Sequence, residues 1–417
     1  MTGSDKRLPE QGGLLARRSL LKATTVGIAG GFLLPTQAAE TVPLWSTHSG
    51  SAQSEYGERS AFVQDQRQVQ FGNPYGPQAG VSYTPLATLN GSITPNSLHF
   101  ERHHSGIPAI DPSLHSLTIY GDVKRAVRFS VDDLRAYPLE SHCYFLECSG
   151  NSYLNTLPRA QDLSVQAIHG LLSGSEWTGV PLRYLLDEAG LDSRARWIVA
   201  EGADASGHTR SLPIDLARDK VMVALYQNGE VLRPAQGYPM RLFVPGSEGN
   251  VSVKWLHKIK VQQTPAYSRE ETSKYTDLLK NGKAEMFSFA MQVKSVITSP
   301  SGAMVLQRRG IYEVSGLAWS GAGSIRGVEV SADGGQSWVA ATLQSQGGDR
   351  ALTRFRIPWR WQGHGAVLQS RATDSAGNIQ PSREMALARY SAAGFYHYNG
   401  IQSWAVDPQG VVKNVYI

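Results

Sequence analysis

The sequence predicts an α+β protein of two main domains, a mixed α/β domain followed by an all-β, immunoglobulin-like sandwich. Forty-two glycines and twenty-one prolines in 417 residues demand many turns, so strands should outweigh helices. Between residues 83 and 285 apolar strands and short helices intermix without a regular βαβ rhythm, which favours α+β. From Gln292 onward the pattern changes to short strands with turn signals between them, the signature of a sandwich.

Residues 1–38 read as an export signal. Arg17-Arg18-Ser19-Leu20-Leu21-Lys22 is a twin-arginine pattern, Ala23 to Leu34 is apolar, and Thr36-Gln37-Ala38 offers a small-residue cleavage site. The apolar run is about 12 residues, against the roughly 20 that a spanning helix needs, so no membrane span is expected. The plain alternative is a short buried helix. Twin-arginine export carries folded proteins, which suits a cofactor inserted before export and a periplasmic location. Residues 39–82, polar and turn-rich with Asn73-Pro74-Tyr75-Gly76-Pro77, read as an N-terminal arm.

In the first domain, residues 83–285, Ser116–Tyr120 reads as a strand and Gly121-Asp122 as a turn. Ser130–Ala136 reads as a short helix with Ser130 as its cap and Asp133 completing a capping box. His142–Glu147 is a strand that ends at Cys148-Ser149-Gly150-Asn151. Leu182–Ala189 has helical periodicity and Gly190 as its stop. Trp197–Glu201, Val221–Gln227 and Met240–Val244 read as further strands. The second domain, residues 286–390, predicts strands at Val293–Thr298, Ile311–Trp319, Ile325–Ser331, Ser337–Ala341, Thr353–Pro358 and Val367–Thr373. Asp333-Gly334-Gly335 is a hairpin turn between two of them. Residues 391–417 read as a C-terminal tail that packs back on a domain.

The net charge of +5 invites a nucleic-acid reading, but residues 1–38 carry a surplus of three positive charges, leaving +2 for the other 379 residues. No basic run marks a nucleic-acid face. The chain has two cysteines, Cys143 and Cys148. On one strand they point to opposite faces, with Cα atoms roughly 16 Å apart, too far for a disulfide. No Cys-x-x-Cys-His motif is present, so no haem is expected on this chain.

Cys148 at a strand end, before a glycine turn, is placed where a ligand can reach it, and a thiolate is a soft ligand for a transition metal. Alone it would read as a buried structural cysteine. Its turn, Cys148-Ser149-Gly150-Asn151, resembles that of the sulfite oxidase family of molybdopterin enzymes, whose ligand cysteine sits in a Cys-x-Gly-Asn turn. The resemblance extends to Thr94-Pro95-Asn96 with Phe100-Glu101-Arg102-His103-His104, and to Glu176-Trp177-Thr178-Gly179-Val180-Pro181-Leu182 leading into a helix. It continues in Gly237-Tyr238-Pro239-Met240-Arg241-Leu242 with Val253-Lys254-Trp255-Leu256, and in Asp333-Gly334-Gly335-Gln336-Ser337-Trp338. These segments run in the family's order from residue 83 to 390.

The resemblance implies a molybdopterin-binding domain followed by a dimerisation domain, with one molybdenum–molybdopterin per chain and Cys148 as the metal ligand. Arg241 and Lys254 suit an anionic phosphate, though each alone would be a solvated surface charge. Phe100, Glu101, Arg102, His103, His104, Asp204, Ser252 and Val253 would line the cofactor; His104 alone would pass for a core histidine and Asp204 for a turn residue. Arg102, Tyr275 and Arg371 would be the catalytic side chains, with Arg102 favouring anionic substrates, Tyr275 donating a hydrogen bond near the metal and Arg371 reaching over from the sandwich.

The sequence departs from sulfite-oxidising members at Tyr153, where an arginine is usual, at Ala167, where a tryptophan lines the sulfite pocket, and at Gln236, where many members have a histidine. Four further segments resemble the SoxC-type subgroup, molybdenum subunits of sulfane dehydrogenases: Ser247-Glu248-Gly249-Asn250, Arg269–Asp277, Val296–Gly302 and Thr353–Trp361. That likeness implies a periplasmic enzyme of thiosulfate oxidation acting on sulfane sulfur held by a SoxYZ-like carrier protein. It also implies a SoxD-like c-type cytochrome subunit as electron acceptor and a homodimer within a heterotetramer. The competing readings are a sulfite dehydrogenase with a cytochrome c acceptor, a reductase of oxidised methionine, and a cofactor-free binding protein that uses the sandwich as an interaction module.

Overall fold

A computed structural model describes residues 43–70, 78–345, 348–391 and 393–417. The proposed signal segment and the Asn73–Pro77 turn lie outside the described residues. Two five-stranded sheets build the first domain. One contains Glu140–Glu147, Leu172–Pro181, Met222–Gln227, Glu230–Val231 and Arg241–Phe243; the other contains Ser116–Gly121, Val127–Ser130, Trp197–Gly202, Thr209–Pro213 and Leu256–Gln262. The second is mixed, because Leu256–Gln262 runs parallel to Ser116–Gly121 and antiparallel to Trp197–Gly202. Among the described residues no helix is long and apolar enough to cross a membrane.

The helices form where local chemistry dictates. Val131–Arg135 begins at Ser130, whose hydroxyl accepts the Asp133 amide while the Asp133 carboxylate accepts the Ser130 amide. Leu182–Ala189 buries Leu182, Leu185, Leu186 and Ala189 on one stripe and stops at Gly190, whose φ of 70° needs no Cβ. The strand Leu172–Pro181 was hidden by its glycines and serines. A Cβ on Gly179 would stand 2.2 Å from the Val223 carbonyl, so only glycine lets the two strands approach there.

The second domain is a sandwich of a four-stranded sheet (Lys294–Ser299, Gly310–Trp319, Thr342–Ser345, Thr353–Trp361) and a five-stranded sheet. The latter holds Ile325–Ser331, Val339–Ala340 and Ala366–Asp374, then Ser403–Val406 and Val412–Val415. Residues 391–417, read from sequence as a tail, thus supply two strands of the sandwich. Leu368 faces Trp404, and Trp404 is fully buried in the core, so the segment packs as sheet.

The strand Glu140–Glu147 decides where the site lies. Its alternation sends Tyr144 and Leu146, and Cys148 beyond them, into an aromatic cluster with Phe100, Trp177 and Phe243. Phe145, one step out of phase, joins the core of the sandwich with Val296, Trp319 and Phe355. One face of this strand therefore serves the cleft and the other meets the second domain.

Candidate active site: a cation-lined cleft beside Cys148

Cys148 leaves the end of its strand with its amide bonded to the Leu171 carbonyl at 3.0 Å, and its own carbonyl accepts the Asn151 amide at 2.8 Å. The turn closes through Ser152, which takes a left-handed φ of 69°. The side chain is half-buried and in no disulfide. Burial pushes the thiol pKa up, opposed by the Gly150 amide and the Arg102 charge. A bound metal would reverse that balance by taking the thiolate.

The thiol opens on a cleft that holds about 690 Å³ of empty space, open solvent at its mouth included. Its walls carry Phe100, Glu101, Arg102, His103, His104 and Asp204 from the expected set, with Arg241, Ser252, Val253, Lys254 and Tyr275. Sequence positions spread over 176 residues thus converge with Cys148 on one space. Arg371 is not in the wall. Its guanidinium pairs with Glu329 at 2.8 Å and lies 4.4 Å from the centre of the Trp338 ring, within the sandwich sheet. Within the single chain the structure does not bring it to the cleft: a neighbouring carboxylate and an aromatic face hold it in the sandwich sheet.

One end of the cleft is built for an anion. Arg241, 2% exposed, donates through Nη2 to the Ser252 carbonyl at 2.8 Å and through Nη1 to the Gln236 carbonyl at 3.1 Å. Its Nε is buried without a partner, and burial brings its pKa down to about 9. Lys254 Nζ contacts His103 Nδ1 at 2.8 Å and donates to the Ala235 and Arg102 carbonyls at 3.1 and 3.2 Å. Burial, then the Arg241 charge, holds its pKa well below the ordinary lysine value. Among the described residues neither cation, nor Arg102, has a carboxylate within ion-pair distance. Gly237 separates them: a Cβ there would come within 3.2 Å of both Arg241 and Lys254. Two adjacent cations without counter-charge are costly unless an anion arrives.

The middle of the cleft is polar and partly unsatisfied. Asp204 Oδ2 accepts from Ser105 at 3.0 Å and from Ser206, while buried Oδ1 has no partner. Burial raises that carboxyl, but these hydroxyls and the His208 amide bring it net below the usual range. His104 stacks on His208 with centroids 5.5 Å apart, and both rings are kept neutral mainly by burial, His104 down to about 3. His208 Nε2 meets the Asn250 carbonyl at 2.8 Å and leaves Nδ1 unpartnered. Tyr275, at a left-handed φ of 39°, brings its hydroxyl to 3.4 Å from His104 Nε2 under the Arg210 guanidinium, 5.2 Å from the ring centre. Burial pushes that hydroxyl pKa up, so Tyr275 stays a neutral donor.

These unsatisfied atoms fit a heteroatom-rich pterin with a terminal phosphate. Among the described residues no group of three or more His, Cys, Asp or Glu side chains could hold a metal ion. A metal here would rest on the single thiolate of Cys148 and on sulfur ligands brought by the cofactor. Sequence reasoning missed His208, Trp255 and Leu146 in the wall, and treated Gln236 and Asn250 only as points of comparison. A histidine after Ser206-Gly207 looks like any loop histidine, and only its stacking on His104 reveals it.

The fold and this cleft define a molybdopterin-binding oxidoreductase, and comparison with known proteins agrees. A family model described as the oxidoreductase molybdopterin binding domain matches residues 104–270, and one described as the Mo-co oxidoreductase dimerisation domain matches 285–403. The chain is similar to mitochondrial sulfite oxidase of Homo sapiens, 30% identical over 330 residues, covering 71% of this chain and 59% of that one. It is similar also to a nitrate reductase of Solanum lycopersicum, 30% identical over 72% of this chain and 38% of that one. The match to mitochondrial sulfite oxidase of Mus musculus likewise spans 59% of that protein's length. The crystal structure of the sulfane dehydrogenase SoxCD from Paracoccus pantotrophus superposes with a TM-score of 0.89 at 40% identity, covering 92% of this chain and 100% of the matched chain. The chain belongs to the sulfite oxidase family of molybdopterin enzymes.

Proposed function

We propose that this protein is the molybdenum subunit of a sulfane dehydrogenase that works in the periplasm. It would oxidise the terminal sulfur of a persulfide carried on a SoxYZ-like partner protein and pass the electrons to a SoxD-like c-type cytochrome subunit. Complete oxidation of such a sulfur to the sulfonate level consumes three waters and releases six electrons and six protons, each two-electron step taking one water. When bound, the molybdenum cofactor supplies oxygen-atom transfer to sulfur.

The chain's own residues bind, orient and tune. Arg241 and Lys254 hold the phosphate. Asp204 Oδ1 and His208 Nδ1 are free to bond the pterin. Cys148 supplies the thiolate. Arg102, on the wall beside it, attracts an anionic sulfur, and Tyr275 offers a neutral hydroxyl to the reacting end.

The observation that carries the substrate choice is Tyr153. It stands where sulfite-oxidising members place an arginine, is 48% exposed, and supplies no positive charge beside the cysteine turn. A site with fewer cations favours a swinging, carrier-bound sulfur over a small dianion. The 40% identity to a sulfane dehydrogenase over the whole matched chain supports the same reading. The alternative, a sulfite dehydrogenase, is favoured by Arg102, which survives in the wall.

Turnover of persulfide-loaded carrier and of free sulfite, each with cytochrome c as acceptor, separates the two. Fast oxidation of free sulfite with no use of the loaded carrier would overturn the proposal. Periplasmic export is tested by fractionation of cells carrying the parent or an Arg17→Lys/Arg18→Lys chain, which should stay in the cytoplasm.

A further inference from the structure

Glu147 immediately precedes Cys148 and is fully buried, yet it faces away from the cleft. Its carboxylate takes three donors. Asn151 Nδ2 reaches Oε1 at 2.9 Å, Lys294 Nζ reaches Oε1 at 3.0 Å, and Trp319 Nε1 reaches Oε2 at 2.6 Å. Lys294, 2% exposed, also donates to Ser152 Oγ at 2.7 Å. That hydroxyl meets His169 Nδ1 at 2.6 Å, and His169 Nε2 meets Gln402 Oε1 at 2.9 Å.

Two features give this network a direction. Glu147, Asn151 and Ser152 flank Cys148 on both sides within six residues of chain, so a single ammonium ties the two ends of the cysteine turn together. Lys294 and Trp319 lie on strands of the sandwich and Gln402 immediately precedes another, so the tie comes from the second domain. A buried ion pair with this many hydrogen bonds is rarely worth much stability over an apolar replacement. Its use lies in orientation: groups behind a metal ligand fix the ligand's direction.

We infer that the buried Lys294–Glu147 pair is a positioning device by which the sandwich domain fixes the cysteine turn, and with it the direction of the thiolate toward the metal. The inference rests on Cys148 being the metal ligand. Neither residue touches the cleft; both act through the turn. The sandwich thus acts on the metal ligand from behind the turn.

The test uses purified, metal-loaded full-length protein and four variants. The readouts are the electron paramagnetic resonance spectrum of the one-electron-reduced metal centre and the rate of metal loss on dialysis. Lys294→Met should alter the spectrum and speed metal loss roughly ten-fold, the low end for groups behind a ligand. Glu147→Gln/Lys294→Met, which leaves no buried charge unpaired, should restore folding stability but not the parent spectrum. Trp319→Phe removes one donor while keeping the ring, and should shift the spectrum in the same direction by a smaller amount; it decides the matter if Lys294→Met does not fold. Parent-like spectra and metal retention in the folded variants would overturn the inference, leaving the pair a structural element read only in melting temperature. Cys148→Ser is the control. If it keeps the parent spectrum, the ligand assignment fails; if it loses that spectrum while the other variants keep theirs, only the positioning role fails.

Discussion

Arg241 donates to the Ser252 carbonyl at 2.8 Å and keeps its Nε buried with nothing to bond. A guanidinium held in this way is oriented to receive an anion. Arg241→Met removes the charge and keeps most of the volume. Cofactor retention should fall by about 2–5 kcal/mol, the usual cost of deleting one side of a buried charged contact. The apo-protein should melt at the same temperature or higher, because an unpaired buried charge is gone. Molybdenum and pterin content per chain, beside melting of the apo-protein, checks both halves.

Asp277 is 8% exposed, and burial pushes its carboxyl up to about 6, against the opposing hydrogen bond from the Tyr396 amide at 3.0 Å. A folded-state pKa above the unfolded one means that the native state holds the proton more tightly. Its contribution to stability is present below about pH 4 and is lost as pH rises through 6. Asp277→Asn should therefore raise the melting temperature at pH 7 and leave it unchanged near pH 4. Glu248 runs the other way. Burial disfavours its charge, yet the His397 hydrogen bond and Arg210 hold it down to about 2, so its contribution is present above about pH 4.5 and is lost on acidification. Melting of apo-protein across pH 3 to 8 should show both slopes, and the upper one should become shallower in Asp277→Asn, the remainder coming from His397, which Glu248 holds above the ordinary histidine value.

Arg371 pairs with Glu329 on a half-exposed face, an arrangement worth about 0–1 kcal/mol. Arg371→Ala should leave metal content at the parent level and turnover within about two-fold. A large fall in turnover with intact metal content would mean that the residue serves the cleft of a neighbouring protomer.

Ser130 and Asp133 bond reciprocally at the start of Val131–Arg135. Ser130→Ala should cost about 1 kcal/mol, read as a lower denaturant midpoint with an unchanged slope. The cofactor should be retained, since the helix caps a core of Val131 and Leu134 and lines no part of the cleft.

What could be read in the sequence was local. The capping box at Ser130, the glycine stop at Gly190 and the sandwich strands each follow from a few neighbouring residues, and the structure places them within a residue or a few of where the pattern does. The cysteine turn and the segments around Arg102, Arg241 and Lys254 were legible too, because each holds its chemistry in a short run. Leu172–Pro181 was not, since its glycines answer to the backbone of another strand, and the strands of residues 403–415 were not, since only a sheet edge supplies their partner.

By itself the sequence determined the class of fold, the family and the residue types available to a cofactor. Tertiary structure alone decided that Arg241 and Lys254 meet without a carboxylate, that Arg371 stays with Glu329, and that Lys294 crosses 147 residues of chain to bond Glu147. The reason is physical. Helix caps, turns and strand alternation are set by interactions across a few residues, whereas burial and charge pairing depend on which distant surfaces the folded core brings together.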